Sequence, residues 1–278
     1  MYFSIITATR NAAATLPRLL ESLATQACRD FELVLQDGTS TDNTVAIAES
    51  YRDRLPALSI ASEPDSGIYD AWNKAVGRAK GDWLIFLGAD DALAEAQVLA
   101  RVKALLAQQP ETLLFAAGRG RLVFPDGAVH AELGVDLEKS RELFEYGCPV
   151  CHPSLFYNKA LFASDRFDAS FRIAADYDFL LQHWQVEHIL PLDFVVTEMQ
   201  VGGISTTAAT RWATLKETLR IAKRRLGYYP RPLLALAPKS LLHLALNKLL
   251  GEQRGNRIYD GLRRLNGREA FWARQDKP

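Results

Sequence analysis

Two aspartates stand side by side in "FLGADDAL", residues 86–93, where an apolar run ends. Adjacent carboxylates in a low-dielectric crevice repel each other, and each raises the pKa of the other. A divalent cation resolves that conflict, because hard oxygen ligands suit Mg²⁺ or Mn²⁺. The plainer alternative is that Asp90 or Asp91 caps a helix beginning near Ala94. A cap accounts for one carboxylate and not for both. Further acids stand in turn-like or helix-start surroundings: Asp37 in "QDGTSTDNT", Asp65 in "SEPDSG", and Asp176 with Asp178 in "RIAADYDF". On a helix the side chains of Asp176 and Asp178 diverge by about 200° at 3.6 residues per turn, so only one of them faces a given site. "CPVCH" brings Cys148, Cys151 and His152 together, but a structural zinc site needs four ligands in paired clusters and the sequence offers no second one.

These acids must be positioned by the elements around them. "YFSIITA" (2–8) and "FELVLQ" (31–36) read as buried strands, 57–61 as a weaker one, and "DWLIFLG" (82–88) as another. Between them, residues 14–26 place Leu16, Leu19, Leu20 and Leu23 at helical spacing. Helices are also expected over 44–54, with Thr41 or Asp42 as N-cap, over 68–79, and over 94–108. Alternation of strand and helix predicts a mainly parallel α/β sheet flanked by helices. In such sheets ligands bind at the carboxyl ends of the strands. "TRN" (9–11), "DGTSTD" (37–42) and "ADD" (89–91) all fall there. Beyond residue 108 the expectation is short β segments in "LLFAAG" and "GRLVF" with a "PDG" turn after them, a helix from about Asp176, and a strand over 192–200.

Taken together, "FSIITATRNAAATLPRLLESLATQ", "QDGTSTDNT", "SEPDSGIYDAWNKAVGRAKGDWLIFLGADDAL" and "GGIST" (202–206) resemble glycosyltransferase family 2, in its bacterial surface-polysaccharide branch. The likeness covers residues 3 to 206. It implies a GT-A fold (Rossmann-like, mainly parallel central sheet), a nucleoside diphosphate sugar as donor, and a divalent cation, Mn or Mg. It also implies transfer with inversion to a carbohydrate or lipid-linked acceptor. By the same likeness Thr7, Thr9, Arg10 and Asn11 lie on the first nucleotide-contacting loop. Asp37 matches the acid that accepts from a ring N–H of the base, and Asp65 sits near the ribose and sugar. Asn73 and Lys74 lie on the helix that follows and join the donor-binding set. Asp90 and Asp91 match the metal motif, which often reads Asp-any-Asp. Here Gly88 occupies the first position of that spacing, and the division of metal and ribose between Asp90 and Asp91 stays open. Asp176 matches the catalytic base, with Asp178 as rival. His152, before Pro153, positions acceptor or leaving group, or is a structural histidine. Tyr69 and Trp72 are core or sugar-stacking residues, and Gly202 and Gly203 close over the diphosphate. Thr39 and Asn43 stand where the family commonly has glycine, and Asn43 is the milder departure because Asn tolerates a left-handed backbone.

The likeness divides the chain into a GT-A domain over 1–208, with a donor half (1–108) and an acceptor half (109–208), and a helical extension over 209–278. Of the 278 residues, 33 are Lys or Arg and 33 Asp or Glu, giving a formal charge of zero. That balance hides an asymmetry: the extension from Arg211 carries 16 basic against 5 acidic residues, and the body before it 17 against 28. A basic tail favours anionic partners such as phospholipid headgroups or phosphate; the alternative is a solvated helical surface. "PLLALAPKSLLHLALNKLL" is apolar almost all round, which fits packing on the main domain, pairing with another subunit, or lying in a membrane interface. Tyr228 and Tyr229 suit the headgroup level. No run of about 18 uninterrupted apolar residues is present, so no spanning helix is expected. The start lacks the pattern of a secretory leader, and three cysteines suit a reducing compartment. The expected location is the cytoplasm or the inner face of the cell membrane. Nucleic acid is not an expected partner, and oligomeric state is left open. Two competing readings are a sugar-nucleotide-forming nucleotidyltransferase, disfavoured by "TATRNAAAT" having no glycine after the first strand, and a non-catalytic nucleotide-sugar-binding module, favoured only by Gly88.

Overall fold

The computed structural model describes residues 1–124, 127–134, 136–201, 210–265 and 267–272. Its first half alternates strictly: β1 (Phe3–Thr9), α1 (Leu16–Ala24), β2 (Phe31–Asp37), α2 (Thr44–Glu49), β3 (Leu58–Ser62), α3 (Ile68–Arg78) and β4 (Trp83–Phe86). β5 (Ala92–Leu93), α4 (Val98–Leu106), β6 (Phe115–Val123), β7 (Val129–Leu133), α5 (Ser140–Leu143), β8 (Leu155–Asn158), α6 (Ala175–His183) and β9 (Ile189–Gln200) follow. The chain continues as α7 (Arg211–Leu226), α8 (Arg231–Leu234), α9 (Ala237–Leu250) and α10 (Glu252–Leu265).

One sheet runs in the order β3-β2-β1-β4-β8-β6-β9-β5, with β7 paired to β6. β2 is buried along its whole length and β1 at every residue but Ala8, as expected of parallel strands covered on both faces. Side chains alternate between the faces. Phe3 and Ile5 join α1 and α4 in one core, and Ile6 joins α3 and α6 in the other. α1 buries Leu16, Leu19, Leu20 and Leu23 and places Pro17 in its first turn, where a missing N–H costs nothing.

The sheet is parallel only in part. β3, β2, β1 and β4 are mutually parallel, as are β6 and β9, but β8 runs antiparallel between β4 and β6. "LFYN" is too short for its periodicity to reveal it. "LLFAAG" and "GRLVF" belong to one strand, β6, not two. The expected helix at 94–108 begins only at Val98, because Ala92 and Leu93 pair with Thr197 and Glu198 of β9 first. Neither Asp90 nor Asp91 therefore caps a helix. The α2 cap position falls on Asn43, although the Asp42 carboxylate does accept from the Thr44 N–H at 3.0 Å. One expectation about length also changes: Arg231–Leu250 is long and apolar enough to cross a membrane by length and composition alone.

Candidate active site

Register brings the first polar cluster together. Thr9, Asp37 and Ser62 are aligned at the carboxyl ends of β1, β2 and β3. Asp37 is fully buried and accepts from Thr9 Oγ1 (3.1 Å), Ser40 Oγ (2.5 Å), the Ser40 N–H (2.9 Å) and Ser62 Oγ (2.6 Å). Burial alone raises a carboxyl pKa, but these hydrogen bonds to the charged form outweigh it and hold Asp37 below its ordinary value.

The loops after β1 and β2 are laced to each other. Asn11 Oδ1 accepts from the Thr41 N–H (2.9 Å), the Asn11 N–H donates to Ser40 Oγ (2.8 Å), and the Ala12 N–H donates to Thr44 Oγ1 (2.7 Å). Asn11 and Thr39 both adopt positive φ, 51° and 59°. The left-handed residue at the turn is thus Thr39, whereas Asn43 has an ordinary φ of −77°. A β-branched residue there is strained. Arg10 is exposed at the end of β1. Thr7 lies deeper, fully buried in the strand, and its hydroxyl has no partner among the described residues.

Gly38 makes room for Asp65. A Cβ at Gly38 would lie 2.4 Å from Asp65 Oδ2, so only glycine lets that carboxylate rest against the end of β2. Asp65 Oδ1 in turn accepts from the Gly67 N–H (3.0 Å) at the start of α3. Lys74 donates to the Pro64 carbonyl (2.7 Å) and pairs with Asp70 (3.3 Å), steadying the same loop. Asn73 departs from its expected role. Its amide nitrogen donates to the Phe167 carbonyl (2.8 Å) and its oxygen accepts from the Phe167 N–H (3.1 Å), so it fastens a loop and does not line the crevice.

At the end of β4 the two aspartates fold back over Gly88. The position of a Cβ on Gly88 is 2.7 Å from Asp90 Oδ1 and 3.1 Å from Asp91 Oδ2, so two acidic oxygens converge on the space left by the missing side chain. Asp91 is buried and accepts from the Gly88 N–H (2.7 Å). Burial first, and then the neighbouring Asp90 charge, push its pKa up to about 8. Arg18 of α1 holds this turn from behind, donating to the Asp90 carbonyl (2.7 Å) and pairing with Glu198 of β9 (3.2 Å). An arginine on a leucine-rich helix gave no sequence signal for that task.

α6 presents its two acids to different neighbours. Asp178 is buried and paired with Arg224 (2.5 Å) and Arg225 (2.8 Å) of α7. Asp176, in the first turn, accepts from Tyr69 Oη of α3 at 2.9 Å. Tyr69 Oη also lies 2.7 Å from the Ile173 carbonyl, although a hydroxyl has one hydrogen to give. The start of α6 has no cap from its own sequence. Glu217 of α7 supplies one, accepting from the N–H groups of Arg172 (2.9 Å), Ile173 (2.8 Å) and Ala174 (3.1 Å). Nothing in the sequence near Asp176 announces that partner. α7 therefore packs as part of the body, and two of its basic residues serve Asp178 and not an external anion.

His152 is buried in an aromatic box, stacked on Trp72 at 5.1 Å and close to Phe86 and Tyr157. Burial lowers its pKa, against the opposing pull of the Asp176 charge, so the ring is neutral at pH 7. His152 Nε2, Trp72 Nε1 and the Tyr157 hydroxyl lack hydrogen-bond partners among the described residues. Tyr69 and Trp72 are both core residues. Gly202 and Gly203 lie outside the described residues.

Residues 4–156 match the Glycosyl transferase family 2 model, which is more than half of the chain. The chain belongs to glycosyl transferase family 2. A "PGL/p-HBAD biosynthesis glycosyltransferase" of Mycobacterium tuberculosis is 42% identical over 180 residues, 64% of this chain and 67% of that one. Among solved structures, Staphylococcus aureus TarS in complex with UDP-GlcNAc aligns with a TM-score of 0.60 at 20% identity, covering 91% of this chain and 75% of the other. The mannosyltransferase PcManGT of Pyrobaculum calidifontis, in complex with GDP-Man and Mn²⁺, aligns with a TM-score of 0.62 at 18% identity, covering 95% and 79%. These structures share the GT-A fold with this glycosyltransferase. Family membership removes the nucleotidyltransferase reading. The binding-module reading loses its support too, since Gly88 is what allows both carboxylates to meet.

Proposed function

We propose that this glycosyltransferase moves a sugar, with inversion, from a nucleoside diphosphate sugar to an acceptor hydroxyl of a glycolipid or polysaccharide, with the help of a divalent cation. The observation that carries the reading is the hydrogen bond from Tyr69 to Asp176. It ties the base candidate to the helix that follows the donor loops, so acceptor chemistry and donor binding meet across one contact.

In this reading Asp37 receives the nucleobase. Its orientation is set in advance by Thr9, Ser40 and Ser62, and any of these hydroxyls can turn away to admit a ring N–H. Arg10 faces the diphosphate from the end of β1, and Asp65 faces the ribose and sugar. Asp90 and Asp91 would hold the cation: the space over Gly88, where two carboxylate oxygens converge and one carboxyl is driven toward the neutral form, is suited to a hard divalent ion. Bound there, the cation would stabilise the diphosphate leaving group as a Lewis acid.

Asp176 is the base. Its Oδ1 is occupied by Tyr69, which leaves Oδ2 to take the proton of the attacking hydroxyl. Once the carboxyl is protonated, the single Tyr69 hydrogen can swing to the Ile173 carbonyl, 2.7 Å away, so neither state strands a buried donor. Neutral His152 feels the Asp176 charge, and its stacking partner Trp72 packs edge-on against Tyr69. Curated relatives named for PGL/p-HBAD biosynthesis support a glycolipid acceptor.

Transfer assays with a panel of nucleoside diphosphate sugars, with and without Mn²⁺, test the proposal. Asp91→Asn and Asp176→Asn should each lower transfer by at least about 10²-fold while thermal unfolding stays cooperative. Asp176→Asn should still bind nucleoside diphosphate. Full activity in either variant refutes the mechanism.

A further inference from the structure

α9 is built inside out. Its polar residues Ser240, His243 and Asn247 face inward, and His243 is 1% exposed. There His243 stacks on Tyr259 of α10 (4.1 Å), approaches Arg211 of α7 (3.4 Å) and pairs with Asn256 (2.9 Å), while Asn247 donates to Asn256 (3.2 Å). Its leucines face outward. Leu241, Leu242 and Leu249 recur at helical spacing on the solvent side, continuing from Leu234, and Leu249 is 81% exposed. α10 adds Ile258 and Leu265, the latter 84% exposed. Exposed contiguous apolar surface of this kind marks a contact site.

Charge identifies the partner. Residues 231–272 carry 8 Lys or Arg against 3 Asp or Glu. Arg231, Lys239, Lys248, Arg254, Arg257 and Arg264 are all exposed, and among the described residues none of them forms an ion pair. On α10, Arg254, Arg257 and Arg264 follow helical spacing beside Ile258 and Leu265. An apolar stripe bordered by basic side chains fits the headgroup–acyl boundary of an anionic bilayer, with long Arg and Lys stems reaching toward phosphates. A second copy of the same surface would bring like charges together.

We infer that the α9–α10 hairpin lies flat on an anionic phospholipid surface, inserting Leu241, Leu242, Leu249 and Leu265 below a ring of arginine and lysine. The Arg231–Leu250 segment has the length to span. Crossing would strip His243 and Asn247 of their partners on α7 and α10 and place them, with Ser240, in hydrocarbon, which is costly. The flat orientation keeps those partners.

Vesicle sedimentation of the full chain decides the matter. The protein should pellet with vesicles of phosphatidylcholine mixed with phosphatidylglycerol, bind phosphatidylcholine alone far less, and be released by salt. Replacing Arg254, Arg257 and Arg264 with Gln together should weaken binding about 100-fold, at about 1 kcal/mol per cation. Leu241→Ser with Leu249→Ser should weaken it by a similar factor. Since all these residues point outward, both variants should melt with the parent, and that control is run alongside. The inference fails if the parent stays in the supernatant, or if the leucine variant binds as well as the parent. It also fails if the parent resists alkaline extraction as a spanning protein, or forms a dimer that the leucine variant abolishes.

Discussion

Gly88→Ala separates the fit of the acidic pair from the stability of the fold. The new methyl would stand 2.7 Å from Asp90 Oδ1 and 3.1 Å from Asp91 Oδ2. Ordinary contact begins near about 3.4 Å, so Asp90 must retreat by roughly 0.7 Å and Asp91 by roughly 0.3 Å. Asp90 is a partly exposed side-chain end and yields easily. Asp91 is buried and tied to the Gly88 N–H, and yields little. The cost to stability should therefore stay within about 1 kcal/mol, a shift of about 2–4 °C in Tm for a chain of this size. Function should suffer far more. A displacement approaching 1 Å in a catalytic constellation costs on the order of 10²-fold in rate, and disturbed ligand orientation costs about 10–100-fold in metal affinity. Thermal melts with and without Mn²⁺ and nucleoside diphosphate read the stability and the metal affinity, and initial rates of sugar transfer read the catalytic loss. Transfer within about threefold of the parent, with an unchanged Mn²⁺ response, would show that the two carboxylates need not meet over residue 88.

Three other perturbations probe the rest of the site. Tyr69→Phe removes the hydroxyl on Asp176 but keeps the ring in the core, so transfer should fall about 10-fold while Tm moves by only a few degrees; a loss of stability with unchanged rate would assign Tyr69 to packing alone. Glu217→Ala deprives three N–H groups of their acceptor and should cost about 2–3 kcal/mol, whereas Glu217→Gln keeps part of the cap and should recover about half; urea unfolding of the two variants checks the order. Asp168, beside Arg224 of α7, has its pKa lowered to about 2: burial opposes the shift, and the hydrogen bond from Arg224 is the chief contribution that brings it about. A depressed carboxyl stabilises the fold above its unfolded value of 3.8, and that contribution is lost as pH falls from 3.8 toward about 2. Arg224→Gln should flatten this part of the stability–pH curve, as followed by melts across acid pH.

The parallel half of the fold was legible because β1, β2 and β4 are apolar runs followed by turn chemistry and α1 carries leucines at helical spacing. The strand-end rule then placed Asp37 and the Asp90–Asp91 pair correctly at the sheet's mouth. What escaped was everything decided by residues distant in sequence. β8 is four residues long and is a strand only because β4 and β6 flank it. Asn73 has the polarity of a ligand-binding residue but imitates a backbone partner for Phe167. The glycines that matter most, Gly38 and Gly88, are informative through the carboxylates that occupy their empty space, which spacing alone does not reveal. In the extension, composition correctly marked an unusual helix, yet which face is outward depends on the partners of His243.

The cap provided by Glu217 also bears on the order in which this enzyme comes into being. The N–H groups it accepts from lie 43 to 45 residues earlier in the chain. During synthesis α6 leaves the ribosome before α7 does, so for an interval the start of α6 is present without its acceptor. Until then the N–H groups of Arg172, Ile173 and Ala174 have only water to bond. Completing α7 is therefore what fixes the start of α6, after the region matched by the family, residues 4–156, has already been made.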